Sequence, residues 1–80
     1  MSAARPVKHS LTLRGHRTSV SLEAEFWAAF RAIAQQRAVA INVLAAEIDA
    51  AREGDIGLAS AIRVFILKEL QGRAAASPLR

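Results

Sequence analysis

The chain has 80 residues, no cysteine, a net charge of +4 and a hydrophobic fraction of 52%. So short a chain forms at most one domain, and the lack of cysteine excludes disulfides and thiolate metal sites. Its longest strongly apolar run is far below the roughly 20 residues that span a bilayer, and no secretory signal is visible, so we expect a cytoplasmic protein without a membrane partner.

The positive charge is concentrated near the N-terminus. Residues 1–22 contain four basic residues and no acidic one, whereas residues 23–80 contain seven of each. A basic segment attached to a neutral body favours a polyanionic partner such as DNA, because phosphate contacts release condensed counterions. A solvated basic tail has the same charge pattern, so charge alone does not decide between these readings.

The N-terminal part is predicted to be extended. After a flexible segment over residues 1–7, apolar and polar residues alternate with the period of a strand. Residues 17–22 are predicted to form a strand with Arg17, Ser19 and Ser21 on one face. Residues 8–14 either fold back as a second strand around a turn at Arg14-Gly15, or trail as an arm.

The hairpin alternative has two consequences. It places Thr12 opposite Arg17 and Ser10 opposite Ser19, so that one face contains only cations and hydroxyls. It also gives a dimer four strands instead of two. Four strands are too broad to lie flat in the major groove, which is about 12 Å wide.

The remainder is predicted to be helical. Apolar residues recur with helical spacing over residues 23–37 and 41–52, and a third helix is expected over 57–71 with Gly72 as its stop. We expect one domain over residues 8–72 and a flexible tail over 73–80. The third helix is apolar nearly all round, so it needs cover on more than one side, as in the core of a dimer.

The sequence offers little for catalysis. His9 and His16 have no neighbouring acid to orient them, and no set of side chains has the spacing of a metal site or a phosphate loop. We therefore expect a protein that is not an enzyme and needs neither metal nor cofactor.

A single strand needs a partner, and the simplest is the same strand from a second copy, paired antiparallel. Arg17, Ser19 and Ser21 of both copies then form one exposed ribbon that fits the major groove. The expected core of this homodimer consists of Val20, Leu22, Phe26, Phe30, Ile33, Leu44, Ile48, Ile62 and Phe65.

Three segments resemble a known family. Thr18 to Glu23, Phe26 to Ala34 and Ile41 to Ile48 are similar to the ribbon-helix-helix fold of the Arc and methionine repressors. Gly15 to Ser19 and Glu47 to Arg52 resemble a short bacterial subgroup with a third helix. Over roughly residues 8–71, the resemblance implies a mostly α homodimer with a short β ribbon. Its implied function is sequence-specific DNA-binding transcriptional regulation, as a repressor.

The resemblance also implies roles for individual residues. Alternate strand residues face base edges, and these are Arg17, Ser19 and Ser21. Backbone amides at the start of the second helix hold a phosphate, and the matching residues are Ala40, Ile41 and Asn42. Lys8 and Arg14 are expected to add phosphate contacts.

The chain departs from the family pattern before the second helix. Ala38 stands where the family usually has a turn glycine, and Ala40 stands where serine or threonine is common. A different function also remains open: the apolar third helix, residues 58–71, suits an antitoxin or another protein-interaction module. The two readings can coexist, because antitoxins often bind DNA.

Overall fold

A computed structural model describes residues 5–76 and shows a β-hairpin followed by three helices. The strands are β1 (Pro6–Leu13) and β2 (His16–Glu23), paired antiparallel as a two-stranded sheet. The helices are α1 (Ala24–Gln36), α2 (Ile41–Ala51) and α3 (Leu58–Ala76). This confirms the predicted mostly α architecture with a short β ribbon.

The hairpin closes through a two-residue turn at Arg14 and Gly15. Both have positive φ angles, 52° and 84°, as a type I′ turn requires. The strands pair with Thr12 opposite Arg17 and Ser10 opposite Ser19. Residues 8–13 therefore form a strand and not an arm. The strand begins at Pro6, inside the segment predicted to be flexible, and residues 1–4 lie outside the described residues.

One face of the hairpin covers the helices. Leu11, Leu13, Val20 and Leu22 alternate along the two strands and are at most 8% exposed. They pack against Phe30, Ile33 and Ala34 of α1, Leu44, Ala45 and Ile48 of α2, and Ile62 and Ile66 of α3. The hairpin thus presents its other face away from this core, because successive strand residues point to opposite sides.

The residues predicted to form a dimer core are packed within one chain. Seven of the nine are buried there, and Phe26 and Phe65 are partly buried against them. One chain buries them because β1 adds Leu11 and Leu13 to the core and α3 folds back over α1 and α2. Their participation in contacts between two copies therefore stays a prediction.

The end of α1 explains the departure at Ala38. Val39 N–H donates to the Ala34 carbonyl and Ala38 N–H to the Gln35 carbonyl, both at 3.0 Å. This is the Schellman pattern, whose central residue is left-handed and usually glycine. Ala38 has a φ of 58°, so alanine here adopts the conformation that glycine would adopt without strain.

The third helix is longer than predicted. It continues through Gly72 to Ala76, so the prediction of a stop at Gly72 is wrong, and residues 73–76 of the predicted tail are helical. Residues 77–80 lie outside the described residues. Arg73 stabilises the last turns of the helix. Its Nη2 atom donates a hydrogen bond to Gln36 of α1 and lies 3.7 Å from Glu69 Oε2. Within residues 5–76, no helix is long and apolar enough to cross a membrane.

Candidate nucleic-acid interface

The outward face of the hairpin, here called the polar face, contains two cations and four hydroxyls. All six side chains are exposed: Lys8, Ser10 and Thr12 on β1, and Arg17, Ser19 and Ser21 on β2. The three residues predicted to contact bases are thus side by side on β2, and Lys8 lies opposite Ser21 on the neighbouring strand. This surface combines cations with hydroxyls, a chemistry that suits contacts to phosphates and base edges.

The turn determines which backbone groups of β2 point away from β1 and form the outer edge of the sheet. In a two-residue hairpin the pair next to the turn, Leu13 and His16, exchanges backbone hydrogen bonds. By alternation, the backbone groups of Arg17, Ser19 and Ser21 point away from β1. This edge can extend the sheet, and at its far end the Ser21 carbonyl accepts a hydrogen bond from Arg63 Nη2 at 3.2 Å.

The outer edge of β1 contacts the start of α2. Thr12 N–H donates to Asn42 Oδ1 at 3.1 Å, which places the first turn of α2 beside β1. The cap residue Ala40 is extended, with φ −66° and ψ 147°, and makes no side-chain cap. The predicted phosphate residues Ala40, Ile41 and Asn42 therefore lie next to the hairpin, and the first-turn amides are not engaged by the Ala40 side chain.

Three arginines and a histidine lie near the turn of the hairpin. Arg14, His16 and Arg17 line an open depression of about 560 Å³ between the turn and the helices. Arg52 also lines it, and its guanidinium lies 2.7 Å from Asp49 and donates to the Ile56 carbonyl. Arg14 reaches this place with positive φ, as the type I′ turn requires of both of its central residues.

An ion pair between Glu23 and Arg63 joins the end of β2 to α3. Glu23 Oε1 lies 2.8 Å from Arg63 Nη2 and 3.1 Å from Arg63 Nε, a two-pronged contact between the strand and α3. The Arg63 guanidinium also lies over the Phe26 ring, at 5.6 Å from its centroid. Its hydrogen bonds to Glu23 lower the pKa of that carboxyl below 4.5. Sequence reasoning missed this pair, because 40 residues separate its members.

The two histidines have different surroundings. The His9 ring stacks on Trp27 of α1 with centroids 3.9 Å apart and planes within 5°, so it packs against the apolar body. Its buried Nε2 has no hydrogen-bond partner among residues 5–76. His16 is exposed beside the turn. His9 lies in the middle of the hairpin, opposite Val20, whereas His16 lies next to the turn.

A comparison with protein families gives a match over almost the whole described chain. The model of the ribbon-helix-helix domain matches residues 6–70, from the first residue of β1 to the body of α3. No curated protein and no solved structure matches the chain significantly. Proteins with this domain generally dimerise, bind DNA and act as regulators without catalysis.

Proposed function

Because the chain belongs to the ribbon-helix-helix domain family, we propose that it is a homodimeric, sequence-specific DNA-binding regulator, a transcriptional repressor of bacterial type. The observation that carries this proposal is the polar face of the hairpin. It displays Lys8 and Arg17 among hydroxyls, and the chain's positive charge is concentrated in the same segment. Arginine can bond two acceptors of guanine, and serine can donate to or accept from several bases.

The dimer forms through the outer edge of β2. Antiparallel pairing of this edge with its copy satisfies the outward backbone groups of Arg17 and Ser19. The resulting sheet has four strands, in the order β1, β2, partner β2, partner β1. The base-contacting residues Arg17, Ser19 and Ser21 of both copies then occupy its centre.

The intact hairpin changes how such a sheet approaches DNA. Neighbouring strands are about 4.8 Å apart, so the two β1 strands lie about 14 Å from each other. The groove is about 12 Å wide, and only the two central strands enter it. The β1 strands therefore lie over the rims of the groove, where Lys8 and Ser10 meet phosphates. The flat insertion of an isolated two-stranded ribbon does not apply to this chain.

Further phosphate contacts lie outside β1. The hydrogen bond between Thr12 and Asn42 places the start of α2 beyond the rim strand, where amides of Ala40, Ile41 and Asn42 can bind a phosphate. Arg14 at the turn adds a cation at the end of the sheet. The order from groove centre outward is then base readout by β2, rim contact by β1 and phosphate binding by α2.

The dimer geometry can be tested with single cysteines, because the chain has none. A Ser19→Cys variant places two thiols near the dimer axis, and a short bismaleimide is expected to cross-link it. The matched control is Ser10→Cys, which lies opposite Ser19 on β1 and about 14 Å from its copy. Equal cross-linking of the two variants, or none at Ser19→Cys, would contradict pairing through β2.

DNA binding itself is tested by titrating a labelled duplex with the protein at two salt concentrations. Phosphate contacts predict an affinity that falls steeply and linearly with salt on logarithmic axes. No binding at low salt would overturn the proposed function. Binding that is independent of salt would remove the phosphate contacts of Lys8 and Arg14 from it.

A second candidate function rests on the outer face of α3. Val64 and Leu67 are 48% and 53% exposed, so residues 58–71 present apolar surface that could bind another protein, as in an antitoxin. Stoichiometric co-purification of a partner, lost in Leu67→Glu, would support this function. A Leu67→Glu variant that still binds DNA as a dimer would show that the two functions use different surfaces.

A further inference from the structure

We propose that Arg63 of α3 is a positioning residue of the DNA-binding face. It neutralises Glu23, the one carboxylate among the outward-facing residues of the hairpin strands, and it fixes the end of β2 at Ser21. This inference rests on the proposed function. It assigns to the third helix a part in DNA binding, although the helix lies on the other side of the hairpin from DNA.

Glu23 continues the outward-facing row of β2. Along β2 the outward residues are Arg17, Ser19 and Ser21, and by the same alternation Glu23 is next in the row. It is also the first acidic residue of the sequence, after four basic ones. An unpaired carboxylate here would oppose the phosphates that the rest of the face attracts.

Arg63 compensates the charge of Glu23. Two guanidinium nitrogens hold Glu23 Oε1 at 2.8 and 3.1 Å, so the charge is compensated within the protein. The Glu23 and Arg63 side chains are only 23% and 29% exposed, which limits screening of the pair by solvent. The compensating cation comes from α3, whose Ile62 and Ile66 pack in the core beneath the hairpin.

Arg63 also contacts the backbone of β2. The same Nη2 atom donates to the Ser21 carbonyl at 3.2 Å, at the junction between β2 and α1. Arg63 therefore contacts both the last base-facing residue and the cap residue of α1, Glu23. Three contacts from one guanidinium, including the stacking on Phe26, define where the reading strand ends.

The experiment compares the DNA affinities of Arg63→Gln, Glu23→Gln and the double variant by titration of a labelled duplex selected from random sequence. Arg63→Gln uncovers the carboxylate, and we expect about two- to five-fold weaker binding at about 0.1 M salt, less at higher salt. The double variant removes the carboxylate as well and should regain most of the lost affinity, with a small remaining deficit from the missing hydrogen bond to the Ser21 carbonyl. If Arg63 were only a structural bridge, the double variant would bind DNA as weakly as Arg63→Gln, because both variants lack the bridge.

The matched control is the ion pair between Arg37 and Glu69, which is 2.7 Å long, close to the 2.8 Å of the Arg63–Glu23 pair, but joins two helices. Arg37→Gln changes the net charge equally and is expected to leave DNA affinity unchanged. Thermal unfolding of each variant confirms that it is folded. Wild-type affinity in Arg63→Gln, or no rescue in the double variant, would overturn the role of Arg63 while the proposed function stands. No DNA binding by the wild type would overturn both.

Discussion

Thr12 and Asn42 join the hairpin to the second helix through one hydrogen bond, from the Thr12 backbone N–H to Asn42 Oδ1 at 3.1 Å. The contact caps a donor on the outer edge of β1 and fixes the start of α2 beside it. Asn42→Ala leaves that donor to water, because the site is exposed. We expect a loss of about 1 kcal/mol of unfolding free energy, measured by chemical denaturation.

The Asn42→Asp variant separates this structural role from the proposed phosphate site. Aspartate keeps the acceptor and suits the positive end of the α2 dipole, so stability should stay near that of the wild type. Its negative charge opposes a phosphate at the same place, so DNA affinity should fall. Wild-type DNA affinity in Asn42→Asp would place the start of α2 outside the interface.

Arg17 is expected to contribute most to base recognition. It is exposed on β2 next to the turn, and the expected contact is bidentate, to guanine. Arg17→Ala should weaken binding to a selected site by about 1–3 kcal/mol and bind unselected DNA with a smaller loss. A gel-shift titration measures both, with Lys68→Ala on the exposed side of α3 as the charge-matched control. Equal losses on both DNAs would reduce Arg17 to a phosphate contact.

Ala38 offers a gain in stability. Its left-handed φ of 58° is strained for alanine, and the Schellman hydrogen bonds around it depend on that conformation. Ala38→Gly removes the strain and is expected to stabilise the protein by about 1 kcal/mol, or roughly 4–8 °C in melting temperature. Ala32→Gly, an exposed position in the middle of α1, is the control and should destabilise by about 1 kcal/mol. A destabilised Ala38→Gly would contradict this account of the turn.

Glu23 is expected to make stability depend on pH at the acid end. Arg63 lowers the pKa of Glu23 in the folded protein below its ordinary value of 4.5. The ion pair therefore stabilises the fold fully above pH 4.5, and its contribution is lost as pH falls through the lowered folded pKa. Denaturation of the wild type and Glu23→Gln should differ near neutral pH and converge below that pKa. A constant difference across this range would contradict the shifted pKa.

Local features of the fold could be predicted from the sequence. The period-two alternation of residues 8–22 and the Arg14-Gly15 pair anticipated the register of the hairpin, because a two-residue turn fixes which residues face each other. Helical spacing likewise located α1 and α2 to within about a residue. The same alternation placed Arg17, Ser19 and Ser21 on one face, and the family resemblance implied their role as base contacts.

Features that depend on distant partners could not be predicted. Glycine often ends a helix, yet α3 continues past Gly72, because Arg73 binds Gln36 and Glu69. The Asn42 side chain accepts a hydrogen bond from the backbone of Thr12 on β1, a partner 30 residues away in the sequence. The Arg63 and Glu23 pair arises only when α3 folds back against β2, which neither spacing nor propensity encodes.

The most direct test of the central claim is selection of bound sites from random duplex DNA by the full chain at two salt concentrations. A dimer that reads DNA through paired β2 strands predicts a palindromic consensus at both concentrations, with weaker binding at the higher one. The same selection with Arg17→Ala should lose information at one position in each half-site. Salt-sensitive recovery of DNA without any consensus would contradict sequence-specific reading by the hairpin.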